Sequence, residues 1–373
     1  MGGEPVRVTL ISKACVVGAY QTKLEAIAAH PDVELTVVVP PYWREGSHRL
    51  ALERAHVQGY ELMVAPLACN GRFHLHFYPT LPAILARSRP DICHIDEEPY
   101  NLATYLALRA ARRAGARALF FTWQNLARNY PFPFGAMERA VYRGSAAAIA
   151  GNREAVEVLR GKGYAGLVEV IPQFGVDPVL FHPAGAESPE RPFTVGYVGR
   201  LVEQKGLLLL VDALTGLPGE WRLLLCGQGP LRGELEARLE TRGLRGRAEF
   251  REQVASEQVP HYLQRMDLLV LPSLTRPNWK EQFGRVLVEA MACAVPVLGS
   301  DSGEIPHVIG EGGRVFPEGD MAALRAAIAG LRGDPAARQA LGRRGRERAL
   351  AHYTQQQVAA DTVALYRRLL MPG

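Results

Sequence analysis

Asp267-Leu268-Leu269-Val270-Leu271-Pro272-Ser273, followed closely by Lys280-Glu281-Gln282-Phe283-Gly284-Arg285-Val286-Leu287-Val288-Glu289-Ala290-Met291-Ala292, reads as a short buried strand, a loop and a helix opening at Gly284. Four consecutive apolar residues closed by a proline suit a strand covered on both faces, as in parallel sheets. A helix that opens just after such a strand leaves backbone N–H groups where a ligand anion docks. Glu281 then lies in the loop beside that anion and Glu289 about one turn into the helix, with Phe283, Arg285, Val286 and Leu287 around the opening. The plain alternative makes Glu281 a first-turn residue favoured by the helix dipole and Glu289 a solvated surface group. Against that alternative, Glu289 interrupts a nearly unbroken apolar run, where a carboxylate is costly unless something satisfies it.

A second constellation lies upstream. Thr194-Val195-Gly196-Tyr197-Val198-Gly199-Arg200 reads as a strand ending in a glycine turn, and Leu201-Val202-Glu203-Gln204-Lys205-Gly206 follows. Arg200 and Lys205 flank a tight loop, an arrangement that suits two cations closing on a diphosphate, one as a fork and one as a point charge. The chain has five lysines against 38 arginines, so Lys205 is not drawn from a lysine-rich background. Two solvated loop cations are the alternative.

At 373 residues the chain exceeds the usual single-core limit, which predicts two domains. Its 48% apolar and 22% charged residues exclude a disordered or fibrous chain. No run approaches the apolar length of a membrane span, and the first residues lack the charged-then-apolar organisation of a signal peptide. Cys15, Cys69, Cys93, Cys226 and Cys293 are dispersed without C-x-x-C spacing, which predicts reduced thiols in a cytoplasmic protein. The net charge of +5 is modest and diffuse and predicts no nucleic-acid partner.

Apolar strand runs alternate with helical periodicity along the whole chain. The pattern predicts strands at 6–11, 34–39, 91–95, 117–122, 146–150 and 168–171, with further pairing at 60–65 and 72–78. It restarts at Phe193 after a linker over 182–192, with strands at 194–198, 221–226, 248–251, 268–271, 295–299 and 313–316. A helix with Val358, Ala359, Thr362, Tyr366 and Leu369 on one face closes the chain. Such alternation predicts an α/β protein with parallel, doubly wound sheets.

Together these segments resemble the family 4 retaining glycosyltransferases, also called glycosyl transferases group 1, over nearly the whole chain. The resemblance rests on Gly199-Arg200…Lys205-Gly206, Cys226-Gly227-Gln228-Gly229-Pro230, Leu271-Pro272-Ser273, Glu281-x7-Glu289, Gly299-Ser300-Asp301-Ser302-Gly303-Glu304-Ile305 and Ile171-Pro172-Gln173-Phe174-Gly175-Val176-Asp177, in the expected order. It implies the GT-B fold: two Rossmann-like domains facing a cleft, residues 1–181 for the acceptor, joined by the C-terminal helix 354–373, and residues 193–350 for the donor. It implies transfer of a hexose from a UDP- or GDP-linked sugar to a sugar, lipid or small-molecule acceptor, without metal or other cofactor. By the same resemblance Arg200 and Lys205 neutralise the diphosphate, Glu289 accepts from the ribose, Glu281 meets the sugar, and the amides at 284–287 support the donor. Gly18, Gly199, Gly227 and Arg251, at the end of the strand 248–251, complete the donor set.

The first domain departs from the family pattern twice. One glycine, Gly18 in Val17-Gly18-Ala19-Tyr20-Gln21, stands where relatives have two, and Phe121-Thr122-Trp123-Gln124-Asn125 has Gln124 where many relatives have a histidine. Gln124 can hydrogen-bond a ligand but cannot shuttle a proton. His94 ends a strand at the carboxyl edge, where ligands bind in such sheets, and is either a catalytic candidate or a packed core histidine. Gly227-Gln228-Gly229 alone is too weak for a dinucleotide fingerprint, and His74-Leu75-His76, lacking a third ligand, reads as two exposed strand histidines. Arg109, Arg112, Arg113 and Arg117 make either a solvated helix face or a peripheral contact with a membrane surface. Rival readings are a nucleotide-sugar epimerase or phosphorylase on the same fold and a non-catalytic nucleotide-sugar or glycan-binding protein.

Overall fold

The computed structural model describes residues 4–46, 48–185, 191–252 and 254–371. The chain divides into two compact units, Met1–Gly175 with Gln355–Gly373, and Val176–Thr354.

In the first unit, strands β1 (Val6–Ile11) and β2 (Val33–Val39) bracket helix α1 (Thr22–Ala28). A hairpin of β3 (Tyr42–Glu45) and β4 (His48–Ala51) follows, then β5 (Glu61–Val64) and helix α2 (Leu81–Ser88). Strands β6 (Ile92–Ile95), β7 (Arg117–Thr122), β8 (Ala147–Ala150) and β9 (Leu167–Val170) alternate with helices α3 (Leu102–Arg113), α4 (Phe134–Gly144) and α5 (Arg153–Gly161). The main sheet is parallel, in the order β5-β2-β1-β6-β7-β8-β9. Strand order reverses between β1 and β6, so the loops leaving those strands diverge and open a crevice at their carboxyl ends.

The second unit repeats the plan. Its strands are β10 (Phe193–Val198), β11 (Trp221–Cys226), β12 (Ala248–Arg251), β13 (Leu268–Leu271), β14 (Val297–Ser300) and β15 (Arg314–Phe316). They pair in parallel in the order β12-β11-β10-β13-β14-β15, with the reversal between β10 and β13. Helices α6 (Leu207–Leu214), α7 (Arg232–Thr241), α8 (Val259–Leu263), α9 (Arg285–Ala292), α10 (Ile305–Ile309), α11 (Met321–Gly333) and α12 (Pro335–His352) cover it. Strand β13 is buried at all four residues, as an apolar run covered on both faces requires.

The closing helix α13 (Gln355–Leu370) belongs to the first unit. Its Val358, Val363, Tyr366 and Leu369 share one core cluster with Leu24 and Ile27 of α1 and Leu10 of β1. The crossing comes earlier than the linker reading predicts. Val176 and Phe181 are buried in the second unit's core, and the Val176 amide donates to the Tyr353 carbonyl at 2.7 Å. The first unit therefore ends at Gly175, whose amide and carbonyl are both bonded to the Gln355 side chain at 3.1 and 2.9 Å. Of the expected linker, residues 186–190 lie outside the described residues.

One local expectation fails, and one local element was not expected. Residues 72–78 form successive turns instead of a strand, held by Leu75 and His76 amides bonding the Arg72 carbonyl. The hairpin β3–β4 is unannounced because its side chains are mostly exposed and carry no alternation to read. Among the described residues no helix is long and apolar enough to cross a membrane.

Candidate donor site

The loop leaving β10 and the loop leaving β11 are locked together by glycines. The Gly199 amide donates to the Cys226 carbonyl at 2.9 Å, and Gly227, at φ +144°, comes so close that a Cβ there would lie 1.9 Å from the Gly199 carbonyl oxygen. This places Arg200 exposed at the carboxyl edge of the sheet, with no ion pair among the described residues. Its carbonyl accepts the Tyr197 hydroxyl at 2.8 Å, which anchors the turn from beneath. A single 3-10 turn, Glu203–Lys205, then carries Lys205 inward.

Lys205 and Glu281 meet. The lysine Nζ lies 2.5 Å from Glu281 Oε2, and Ser273 Oγ donates to that same oxygen at 2.8 Å. Glu281 is only 7% exposed and Ser273 fully buried, so the carboxylate is held in one orientation by two donors rather than by solvent. The Lys205 ammonium also stands 5.0 Å over the Trp279 ring, a cation–π contact. Gly303 approaches the Glu281 backbone so closely that a Cβ would lie 2.0 Å from its carbonyl oxygen.

Three residues on, Gly284 sits at φ +74° and opens α9 with no side-chain cap. The first N–H groups of a helix lack acceptors one turn earlier, and the dipole adds partial positive charge there, although the Leu287 amide is already bonded to the Gly284 carbonyl at 2.8 Å. Along the same helix Arg285 Nε pairs with Glu289 Oε1 at 2.8 Å. Burial raises the Glu289 carboxyl above its ordinary range, and the Arg285 charge offsets part of that. Val286 is half-buried and Leu287 fully buried against the core. Phe283 packs edge-on against Tyr353 at 5.7 Å. The site thus brings Lys205, Glu281, Gly284, Arg285 and Glu289 onto one loop-and-helix opening, with Gly199, Arg200 and Gly227 on the adjoining loops.

Arg251 is not part of this group. It ends the edge strand β12 with its side chain exposed and bonded to Glu249 at 2.6 Å, so only its carbonyl reaches the loops, accepting the Gly227 amide at 2.9 Å. Ser273 and Trp279 are the contacts that sequence reading missed. Ser273 had one usable signal, a hydroxyl directly after an apolar strand run.

In the first unit the expected residues have other occupations. Gly18 is pressed under the segment following β4: its amide donates to Glu53 Oε2 at 2.5 Å, and a Cβ would lie 2.7 Å from that of Ala55. The buried Gln21 ties the same segment down, donating to the Glu53 carbonyl at 2.6 Å and accepting from the Ala55 and His56 amides. Gln124 is buried, with Nε2 at 3.4 Å from the Tyr130 hydroxyl and Oε1 accepting Lys162 Nζ at 3.3 Å.

His94 is a core residue. It is buried in β6 with Nδ1 at 2.6 Å from the Tyr366 hydroxyl on α13, and burial depresses its pKa to about 3. An imidazole held neutral there does not take up a second proton near pH 7. The folded pKa lies below the ordinary 6.5, so the unfolded chain binds the extra proton between pH 6.5 and 3. Stability contributed through this residue is whole above pH 6.5 and falls as pH drops, by about 1.4 kcal/mol per unit. Urea unfolding at pH 7 and pH 5 should therefore show a smaller acid loss for His94→Gln than for the parent.

The crevice between β1 and β6 holds a buried charge cluster instead. Lys13 pairs with Glu97 Oε2, and His76 Nε2 lies 3.4 Å from Glu97 Oε1. His76 is fully buried rather than an exposed strand histidine, because it folds under Trp43 at 5.1 Å. Burial pushes the Glu97 carboxyl up, and Lys13 with His76 outweighs it, holding the group near 2. Glu98, bonded by Thr122 Oγ1 and the Trp123 amide, is pushed up to about 7 by burial.

Two doubly wound parallel-sheet units, the second offering a cation–carboxylate pair beside an uncapped helix, place the chain in the GT-B fold class. Residues 181–348 match the family model for glycosyl transferases group 1, and residues 17–173 match that for the glycosyl transferase 4-like domain. The chain belongs to this glycosyltransferase family. A stretch of 228 residues is 31% identical to alpha-maltose-1-phosphate synthase of Mycobacterium tuberculosis, covering 54% of this chain and 57% of that protein. The chain thus spans little more than half the length of such curated relatives. Sucrose-phosphate synthase of Thermosynechococcus elongatus superposes with a TM-score of 0.72 at 22% identity, over 98% of this chain and 99% of its own. An Anabaena protein crystallised with UDP superposes with a TM-score of 0.75 at 18% identity, over 97% and 100%. At these identities the two structures speak for the fold.

Proposed function

We propose that the protein transfers a hexose from a nucleotide diphosphate sugar to an acceptor hydroxyl with retention of configuration and without a metal ion. The Lys205–Glu281 pair beside the uncapped α9 carries this reading. One ammonium hydrogen on Glu281 leaves Lys205 with two more donors for a diphosphate. Arg200, exposed at the adjoining loop, supplies the fork, and the first amides of α9 receive the remaining phosphate oxygens. Glu281, held by Lys205 and Ser273, accepts from sugar hydroxyls, and Glu289 accepts from the ribose while Arg285 holds its other side. Departure of the diphosphate is then favoured by fixed cations and oriented amides, and the leaving oxygen takes the acceptor's proton on the face it vacates. The acceptor is a sugar, lipid or small molecule, and the site of action is the cytoplasm.

The UDP bound by the Anabaena neighbour makes uridine nucleotides the first to test. In thermal-shift titration with UDP, GDP, ADP and dTDP and their sugars, one nucleotide family should raise the melting temperature. Saturation at about a hundred times Kd corresponds to about 2.7 kcal/mol. Arg200→Ala should remove most of that shift, and turnover should persist in EDTA with the anomeric configuration kept. A protein that no nucleotide stabilises would overturn the reading. Donor turnover without any acceptor would replace transfer by epimerisation.

A further inference from the structure

The segments that carry α2 and α3 are one-signed in their own charges. From residue 62 to 90 and again from 99 to 137 the chain contains no Asp or Glu, yet these segments hold Arg72, Arg87, Arg89, Arg109, Arg112, Arg113, Arg117 and Arg128. With 38 acidic residues in 373, stretches this long would ordinarily hold several. No carboxylate pairs with Arg87, Arg109, Arg112 or Arg113 among the described residues, and all four are exposed. On α7, by contrast, the arginines are paired, Arg232 with Glu236 and Arg238 with Asp212.

Apolar groups interleave with these charges. A cavity of about 370 Å³ lies along α3, lined by Phe77, Leu81, Pro82 and Leu106, with Arg109 and Arg113 at its edge one helical turn apart. At the other end of α3 the residue-73–76 turn is tied to the helix start, the Leu102 amide donating to the His74 carbonyl at 3.1 Å. The His74 ring also meets that of Phe134 at 5.6 Å, which brings in the loop at the start of α4. These two loops expose Phe73, Leu75 and Phe132, the last 89% exposed. Exposed aromatic tips at one end of α3 and an unpaired arginine row at the other form the composition of a surface that enters the headgroup layer of an anionic bilayer.

We propose that the α2–α3 face of the first unit docks on an anionic phospholipid bilayer, a lipid phosphate lying between Arg109 and Arg113 and an acyl chain along the groove against Phe77, Leu81 and Leu106. Charge complementarity selects the lipid class, because the groove along α3 is lined by Arg109 and Arg113 and by no Asp or Glu. The groove and the exposed rings select a bilayer over a soluble polyanion, which gains nothing from them. This docking is independent of the donor reading.

Cosedimentation of the full chain with phosphatidylcholine vesicles, with and without phosphatidylglycerol, tests it. Binding should appear only with phosphatidylglycerol and weaken as salt rises. Each arginine near an anionic leaflet contributes about fivefold, so Arg109→Gln/Arg113→Gln should lower partitioning about 25-fold. Phe132→Ser should lower it several-fold. Both variants should keep the parent's melting temperature, which separates lost docking from lost folding. Absence of binding, equal binding to both vesicle types, or undiminished binding of the double variant would overturn the proposal. Competition by duplex DNA at vesicle-level affinity, with Phe132→Ser unaffected, would also overturn it and assign the face to general polyanion attraction.

Discussion

Lys205→Met is expected to lower transfer by at least about a hundredfold and to destabilise the second unit by about 3 kcal/mol. The stability loss arises because Glu281 is buried with Lys205 and Ser273 as the donors on Oε2, and removing one partner of a buried pair leaves a desolvated charge. The activity loss arises because an ammonium aimed at developing charge is worth about a hundredfold or more in a water-poor site. The two effects separate in the double variant Lys205→Met/Glu281→Gln. Removing both charges should restore stability to within about 1 kcal/mol, because no unpaired charge remains. Transfer should stay lost. Urea unfolding and initial-rate kinetics on the three proteins form the measurement, and recovery of rate together with stability would reduce the pair to a structural ion pair.

Gly206→Ala should be nearly as damaging by another route. Gly206 sits at φ +66°, and a Cβ there would lie 1.9 Å from the carbonyl oxygen of Pro272, a backbone atom at the end of β13. The left-handed conformation alone costs about 1–2 kcal/mol for alanine, and the clash adds about 1–3 more. For a unit of this size about 3 kcal/mol lowers the melting temperature by roughly 6–12 °C. Gly243→Ala is the internal control, since Gly243 has φ +67° with open space around its Cβ position and should show the conformational cost alone. Gly206→Ala should also lose the nucleotide-induced shift, because the Leu274 amide bonds the Gln204 carbonyl at 2.8 Å. Pushing that loop away from β13 draws Lys205 from Glu281.

Legibility in the sequence followed the reach of local patterns. Strand β13, the loop and α9 span a couple of dozen residues, and their apolar spacing was sufficient to place Glu281, Gly284 and Glu289. For Arg251 a strand end marks only a position, whereas the exposed edge strand and Glu249 decide where the guanidinium lies. Gly18 was read as room for a ligand. The glycine instead makes room for the segment around Glu53, which follows the one hairpin the pattern did not announce. His94 carried both readings until burial and Tyr366 decided for the core.

By itself the sequence determined two doubly wound units and a helix opening at Gly284, while the membership of the closing helix in the first unit was an implication of the family resemblance. The units and the opening follow from periodicity, glycine placement and short-range spacing, which act through backbone geometry within a few residues. The tertiary structure alone decided the partners. Lys205 and Glu281 are 76 residues apart, Gly18 and Glu53 are 35 apart, and His94 and Tyr366 are 272 apart. Side chains that distant meet only where parallel strands return their loops to the same sheet edge or a terminal helix folds back. No local pattern records which of the many loop residues will then share a hydrogen bond.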